Sequence, residues 1–88
     1  MNKNRRKELM EWATKASEWV SQGEALRDEL ENICSDEQDY FDNMPENLQG
    51  SMRGMDSEEA IDTMNEAIEG IDNAIEYAGE AVGCIEGI

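Results

Sequence analysis

The chain has 88 residues, of which 22 are Asp or Glu and only 7 are Lys or Arg, so its formal net charge is −15. This length allows one small domain, residues 1–88, which buries little apolar surface on its own. An anionic surface repels nucleic acids and anionic membranes, which argues against direct binding to either and favours a basic protein partner. The 39% hydrophobic fraction is too high for a disordered acidic tail.

The charge is distributed unevenly. Residues 1–27 carry six basic and four acidic side chains, whereas residues 28–88 carry one basic and eighteen acidic ones. The basic start, residues 2–7, opposes the dipole of a following helix, so we interpret it as a clamp that meets Glu80 and Glu86 of helix two or of a second subunit. No apolar run approaches transmembrane length, and we expect a cytoplasmic protein that does not contact a membrane.

Residues 4–44 are predicted to form helix one. Apolar side chains recur at steps of three and four from Leu9 to Met44, with exceptions only at Gly23 and Glu37. This is coiled-coil periodicity, in which one stripe of a helix faces a partner helix. The series comprises Leu9, Trp12, Ala16, Trp19, Gly23, Leu26, Leu30, Ile33, Glu37, Tyr40 and Met44.

Residues 45–56 are predicted to connect the two helices. Pro45 disfavours a helical conformation at Met44, and the glycines at positions 50 and 54 interrupt the chain beyond the proline. Residues 45–49 are suited to a short helical turn of their own. Asp56 or Ser57 is the predicted N-cap of the next helix, with acidic residues in its first turn, where they suit the helix dipole.

Residues 57–86 are predicted to form helix two. Its apolar series has no exception: Ile61, Met64, Ile68, Ile71, Ile75, Ala78, Val82 and Ile85. Beside this series runs an alanine column with a spacing of seven residues: Ala60, Ala67, Ala74 and Ala81. Such a small-residue margin suits close approach by another helix.

Together these patterns predict an all-α fold in which two long antiparallel helices form a helical hairpin. A lone hairpin leaves much of both stripes and both tryptophans uncovered, so we expect a homodimer that forms a four-helix bundle. The predicted core and dimer face comprises Trp12, Trp19, Leu26, Leu30, Ile61, Ile68, Ile75, Ala67 and Ala74.

The sequence offers little for catalysis or metal binding. It contains no histidine, the commonest general base and metal ligand, and its serines have no base to activate them. The spacing of the carboxylates around position 39 does not match a calcium-binding loop. Cys34 and Cys84 fit no metal motif, and we expect both to be free thiols that act as ordinary packing residues at the edge of the apolar series. We predict a non-enzymatic protein without cofactor or metal; a metal-dependent enzyme is a third hypothesis.

Carboxylates line the outer side of helix two, and no Lys or Arg follows Arg53. Like charges three or four residues apart on a helix cost about 0.2–0.5 kcal/mol per pair, which a helix under selection for solubility alone avoids by mixing signs. Carboxylates at this spacing lie ~5–6 Å apart, comparable to phosphates along a duplex strand. The predicted partner-binding acidic face comprises Asp36, Asp39, Asp42, Asp62, Glu66, Glu69, Asp72, Glu76 and Glu80.

Two interpretations of this charge stay open. In the first, the acidic face binds a basic protein surface and, in its sharpest form, mimics nucleic acid to inhibit a host defence or DNA-processing enzyme. In the second, the acidic face serves solubility only, and the protein is a structural or assembly adaptor that recruits helices through its Ala/Ile face.

A distinctive run precedes the heptads of helix two: Glu37, Gln38, Phe41, Asp42, Asn43, Pro45, Glu46, Leu48, Gln49, Ser51, Arg53 and Gly54. This run, followed by heptads of Glu, Ala and Ile, resembles small acidic proteins encoded by bacteriophages and prophages, over about half of the chain. The resemblance implies a helical fold and a phage origin, hence the cytoplasm of a bacterial host, and it supplies no active site. Because phage genomes contain many small acidic inhibitors of host nucleases and defence complexes, it favours the mimic interpretation.

Overall fold

The structure, a computed structural model, describes all 88 residues and confirms the predicted all-α fold. Three helices follow in chain order: α1 (Lys3–Asp42), α2 (Glu46–Gln49) and α3 (Met52–Glu86). α1 and α3 pack side by side in a molecule that measures 69 × 14 × 14 Å. Gly23 lies against Ile75 and Glu37 lies against Ser57, so the two long helices are antiparallel.

α3 turns its predicted apolar series toward α1. Ile61, Ile68 and Val82 are buried in this seam, and the other five members of the series are partly buried. Steps of three and four keep these residues on one side of a helix with 3.6 residues per turn. The opposite side of α3 carries the carboxylates.

α1 contacts α3 along a stripe that differs from the predicted one at every second position. The seam takes Ala13, Val20, Arg27, Cys34 and Phe41 in place of Trp12, Trp19, Leu26, Ile33 and Tyr40. The latter five are 46–61% exposed, so they lie outside the contact with α3 and are uncovered in the single hairpin. Small side chains let the helices approach closely: at Gly23 an added Cβ would lie only 3.3 Å from Cγ1 of Ile75. Indole rings in the seam would hold the helices apart.

The connection is held by hydrogen bonds to backbone carbonyls. α1 ends at Asp42, two residues before the predicted end, and Pro45 precedes the single turn of α2 that the sequence favours. The Gln49 side chain donates from Nε2 to the carbonyl oxygens of Phe41, at 3.2 Å, and Met44, at 3.3 Å. These bonds tie the turn to the end of α1.

α3 begins at Met52, five residues before the predicted start of helix two. Ser51 is its N-cap, because the hydroxyl oxygen accepts a hydrogen bond from the Gly54 amide. The predicted N-cap at Asp56 or Ser57 is therefore wrong, since both residues lie inside the helix. Gly54 does not interrupt the helix; it allows the close approach of the α2 backbone.

The hydrophobic core is thin. Its buried apolar residues are Ala13, Cys34, Ile61, Ile68 and Val82. No large side chain is completely enclosed. Two packed helices give each other only one contact stripe, so most of the surface of both helices faces solvent.

Candidate functional site

All nine residues of the predicted partner-binding acidic face are exposed. On α3, the helical turn of about 100° per residue places Glu66 and Glu80 directly opposite the seam with α1. Asp62, Glu69 and Glu76 form the adjacent column. These five residues are named the α3 acidic face.

The three predicted carboxylates of α1 are not part of that surface. Asp39 lies on the side of α1 opposite its seam, and Asp36 lies close to that side, so both project away from α3. Asp42 accepts a hydrogen bond from Nε2 of Gln38 at 3.0 Å. The structure therefore separates the predicted residues into surfaces on the two helices and does not join them into one.

Asp72 takes part in the contact between the helices. Its Oδ1 accepts a hydrogen bond from Nε of Arg27 at 2.9 Å, and Arg27 also forms an ion pair with Glu31. The hydrogen bond with Asp72 raises the pKa of Arg27 above its ordinary value, and the charges of Asp72 and Glu31 add to this effect against partial desolvation. Arg27 thus stays cationic and links Asp28 and Glu31 of α1 to Asp72 of α3.

Sequence reasoning missed Arg27 because the apolar series was assigned to the column of Leu26. The sequence nevertheless contains a signal for the position of Arg27 in the seam. Arg27 lies seven residues from both Val20 and Cys34, in an equally regular column of smaller side chains. A cation in such a column, and an acidic residue beside the Ile series of the other helix, together indicate a cross-helix ion pair.

Two further polar contacts fix the register of the hairpin. The buried Ser57 donates a hydrogen bond to the carboxylate of Glu37, which explains why the apolar series is interrupted there. The thiol of Cys34 lies 3.6 Å from Oδ1 of Asn65 and 4.0 Å from the carbonyl oxygen of Ile61. No buried side-chain nitrogen or oxygen lacks a hydrogen-bond partner.

Five large side chains on α1 remain outside the seam at a spacing of seven residues. They are named the apolar stripe: Trp12, Trp19, Leu26, Ile33 and Tyr40. Side chains seven residues apart lie one above another, so the stripe follows one flank of α1 beside the seam. A contiguous exposed apolar patch of this kind marks an interaction surface more often than scattered single residues do.

The apolar stripe and the alanine column of α3 share one side of the hairpin. Polar clefts occupy the other side, where Ser17 and Glu31 of α1 line the same depressions as Glu86 and Asn65 of α3. Each helix has one further flank beside the seam, which carries the stripe on α1 and the alanine column on α3. These two rows are named the apolar face; Ala60 is partly covered, and the other three alanines are exposed.

The cations at the start of α1 form no ion pair within the chain. All three ion pairs involve Arg27. Glu86 shares a cleft with Thr14 and Ser17, so the earlier turns of α1 extend beyond the end of α3. The expectation that residues 2–7 meet Glu80 and Glu86 of the same chain is therefore wrong.

The remaining candidate chemistry is sparse. Cys34 is buried, but Cys84 is exposed, so the expectation that both cysteines are packing residues is wrong for Cys84. No group of three or more His, Cys, Asp or Glu side chains is arranged to hold a metal ion. Neither long helix contains a stretch apolar enough to cross a membrane. Comparisons with protein-family models, curated proteins and solved structures found no match.

Proposed function

We propose that this protein is a small, non-enzymatic, phage-type interaction protein whose α3 acidic face binds a basic surface of another protein in the bacterial cytoplasm. The observation that carries the proposal is uncompensated charge: five exposed carboxylates follow about 27 Å of one helix. No Lys or Arg of the chain follows Arg53. A cationic partner relieves the repulsion among these carboxylates and is attracted by their combined field.

In its sharpest form the proposal is nucleic-acid mimicry that inhibits a host defence or DNA-processing enzyme. Two adjacent columns of carboxylates follow a straight helix, with neighbouring charges ~5–6 Å apart. A groove that binds phosphates would meet negative charges there at intervals comparable to those along a duplex strand. The resemblance to phage-encoded acidic proteins supports this form. The exposed carboxylates of α1 extend the negative surface to the opposite side of the rod.

The test compares two triple variants that change the net charge equally. Glu66→Lys, Glu69→Lys and Glu76→Lys reverse the α3 acidic face and leave Asp72 with Arg27. The matched control reverses three exposed carboxylates of α1: Glu11→Lys, Glu18→Lys and Glu24→Lys.

Each protein is immobilised and exposed to bacterial lysate, and bound proteins are identified by mass spectrometry after elution with rising salt. We expect the wild type and the α1 control to capture the same basic proteins, and the α3 variant to lose them, with steep salt dependence. Elution by added duplex DNA supports mimicry. Capture that survives reversal of the α3 acidic face contradicts the proposal.

The apolar face favours a second candidate function, that of an assembly adaptor. The Ile side chains of α3 lie in the seam, so helices would be recruited through the alanine column and the apolar stripe. Ala67→Glu with Ala74→Glu blocks that surface. Loss of captured proteins in this variant, together with normal capture by the α3 charge-reversal variant, identifies the adaptor.

A further inference from the structure

We infer that the apolar face is the interface of a symmetric dimer in which α1 packs antiparallel against α1 of a second copy, with Leu26 at the twofold axis. This interface does not include the α3 acidic face, so it stands independently of the proposed binding to a basic protein surface, and it occupies the face that the adaptor would use. Three features carry the inference: the exposed apolar area, the even spacing of the stripe, and the charge along α1.

The exposed apolar area of this face is close to the area that one partner buries in a standard protein–protein interface. Aromatic side chains bury ~150–250 Å² each, so the half-exposed stripe together with the alanines leaves on the order of 600 Å² uncovered. That is at the upper limit for patches on monomers, and it approaches the ~800 Å² that each partner contributes to a standard interface. The hairpin has only five buried apolar residues of its own. A second copy, always present when the chain folds, enlarges this core.

The apolar stripe is evenly spaced about its middle residue. Trp19 and Ile33 lie seven residues from Leu26, and Trp12 and Tyr40 lie fourteen. A twofold axis at Leu26 therefore sets Trp19 against Ile33 of the second copy, and Trp12 against Tyr40 of the second copy. Every stripe residue then meets a stripe residue, as an isologous interface requires.

The charge pattern along α1 favours antiparallel packing of α1 against α1 of the second copy. Residues 1–27 have a net charge of +2, whereas residues 28–46 contain eight acidic residues and no basic one. Antiparallel α1 helices place the basic part of one chain over the acidic part of the other.

One ion pair results directly from this arrangement. Lys15 and Asp36 lie on the same edge of the apolar stripe, eleven and ten residues from Leu26, and both are exposed. In the dimer each Lys15 faces Asp36 of the second copy. The overhanging cations of residues 3–7 reach just past the acidic end of the other α1, around Glu46 in α2 of the second copy.

Two measurements test the mass of the dimer and the position of Leu26 at its twofold axis. Light scattering after gel filtration should give twice the 9.9 kDa of one chain. In a Cys84→Ser background, Leu26→Cys should form an interchain disulfide on mild oxidation. Ala25→Cys, one residue away on the outer surface of α1, is the matched control and should not. A mass of 9.9 kDa at every concentration, or equal cross-linking of both variants, would overturn the inference.

Two further variants test the face and the orientation. Trp19 is exposed in the hairpin, so Trp19→Glu should leave the helices intact and weaken dimerisation by about a hundredfold or more. Lys15→Glu should weaken dimerisation about tenfold, and the swap Lys15→Glu with Asp36→Lys should restore it. A dimer that survives Trp19→Glu, or a swap no tighter than Lys15→Glu, contradicts the inferred interface.

Discussion

At the scale of single residues, two positions make contacts that hold the hairpin together and that their sequence context does not indicate. Gly54 lies in the first turn of α3 under the backbone of α2, and Arg27 lies in the seam among small side chains. Neither role follows from the residue type alone, because each depends on which backbone or side chain the fold brings beside it. A glycine near a proline suggests a loop, and an arginine on an amphipathic helix suggests solvent.

Gly54→Ala should destabilise the protein by about 1–3 kcal/mol, because the added methyl group overpacks a site that has no flexible neighbour to move. The new Cβ would overlap the carbonyl oxygen of Gln49 and would lie 2.6 Å from that of Leu48. Gly70→Ala is the matched control. Its site in the interior of α3 is open, so it should stabilise the protein by about 0.5–1 kcal/mol. Urea denaturation measures both, and two changes of the same sign would refute this explanation.

Arg27→Gln should lower the thermal midpoint more than Arg53→Gln, because only Arg27 forms ion pairs. The pair with Asp72 joins the two helices, so removing one partner also leaves a carboxylate of α3 without its cation. A double-mutant cycle with Asp72→Asn, followed by circular dichroism, measures the coupling. Additive effects of the two substitutions would show that the contact contributes nothing to the fold.

At the scale of the elements, the existence of both helices could be predicted because the 3–4 spacing continues without a slip over each of them. The seam of α3 also follows from its sequence, since Ile61 and the residues in register with it form the main large apolar stripe of that helix. The seam of α1 does not, because two regular series share Leu9, Leu30 and the positions in register with them. The choice between them depends on how closely α3 approaches, which favours Ala13 over Trp12 and is a property of the packed pair.

The surfaces of the candidate site were predictable to a similar degree. The exposure of the carboxylates on α3 follows from their position opposite the Ile series. Two features of the site depend on how the two helices are rotated about their axes. One is the hydrogen bond between Arg27 and Asp72, and the other is the separation of Asp36 and Asp39 from the α3 acidic face. That rotation is not encoded in either helix taken alone.

Ile68→Ala should destabilise the hairpin by about 2–3 kcal/mol, at the lower end for a buried Ile because this core is thin and partly open to solvent. Ile68 packs in the cluster formed with Cys34 and Ile61. Asn73→Ala, on the exposed side of the same helix, should change the free energy of unfolding by less than about 0.5 kcal/mol. Urea denaturation at one protein concentration provides the comparison. Equal losses would mean that the seam contributes no more than the surface does.

At the scale of the whole molecule, a charge of −15 is spread over a rod 69 Å long and 14 Å thick. Apolar side chains occupy one side and polar clefts the other, and the outer surface of α3 carries the five unpaired carboxylates of the α3 acidic face. Repulsion between these carboxylates opposes the compact state. The Debye length is about 30 Å at 0.01 M salt and about 10 Å at 0.1 M, so at low salt the repulsion acts along much of the rod.

Raising NaCl from low to moderate concentration should therefore increase the thermal midpoint of the protein. Each 1 kcal/mol of repulsion that is screened corresponds to about 4–8 °C for a domain of this size. The Glu66→Lys, Glu69→Lys and Glu76→Lys triple variant should show a smaller increase. Circular dichroism at constant protein concentration is the measurement. A midpoint that falls with salt would mean that the attraction between Arg27 and its carboxylates outweighs the repulsion.

The chain has only two tryptophans, and both belong to the apolar stripe. Indole fluorescence therefore originates on one side of the rod and is sensitive to water on that side alone. A second copy or a recruited helix lying over the indoles should shift their emission to shorter wavelength, whereas a cationic protein held on the outer surface of α3 should leave the spectrum unchanged. The protein thus carries an intrinsic optical reporter that distinguishes its two kinds of surface without any label.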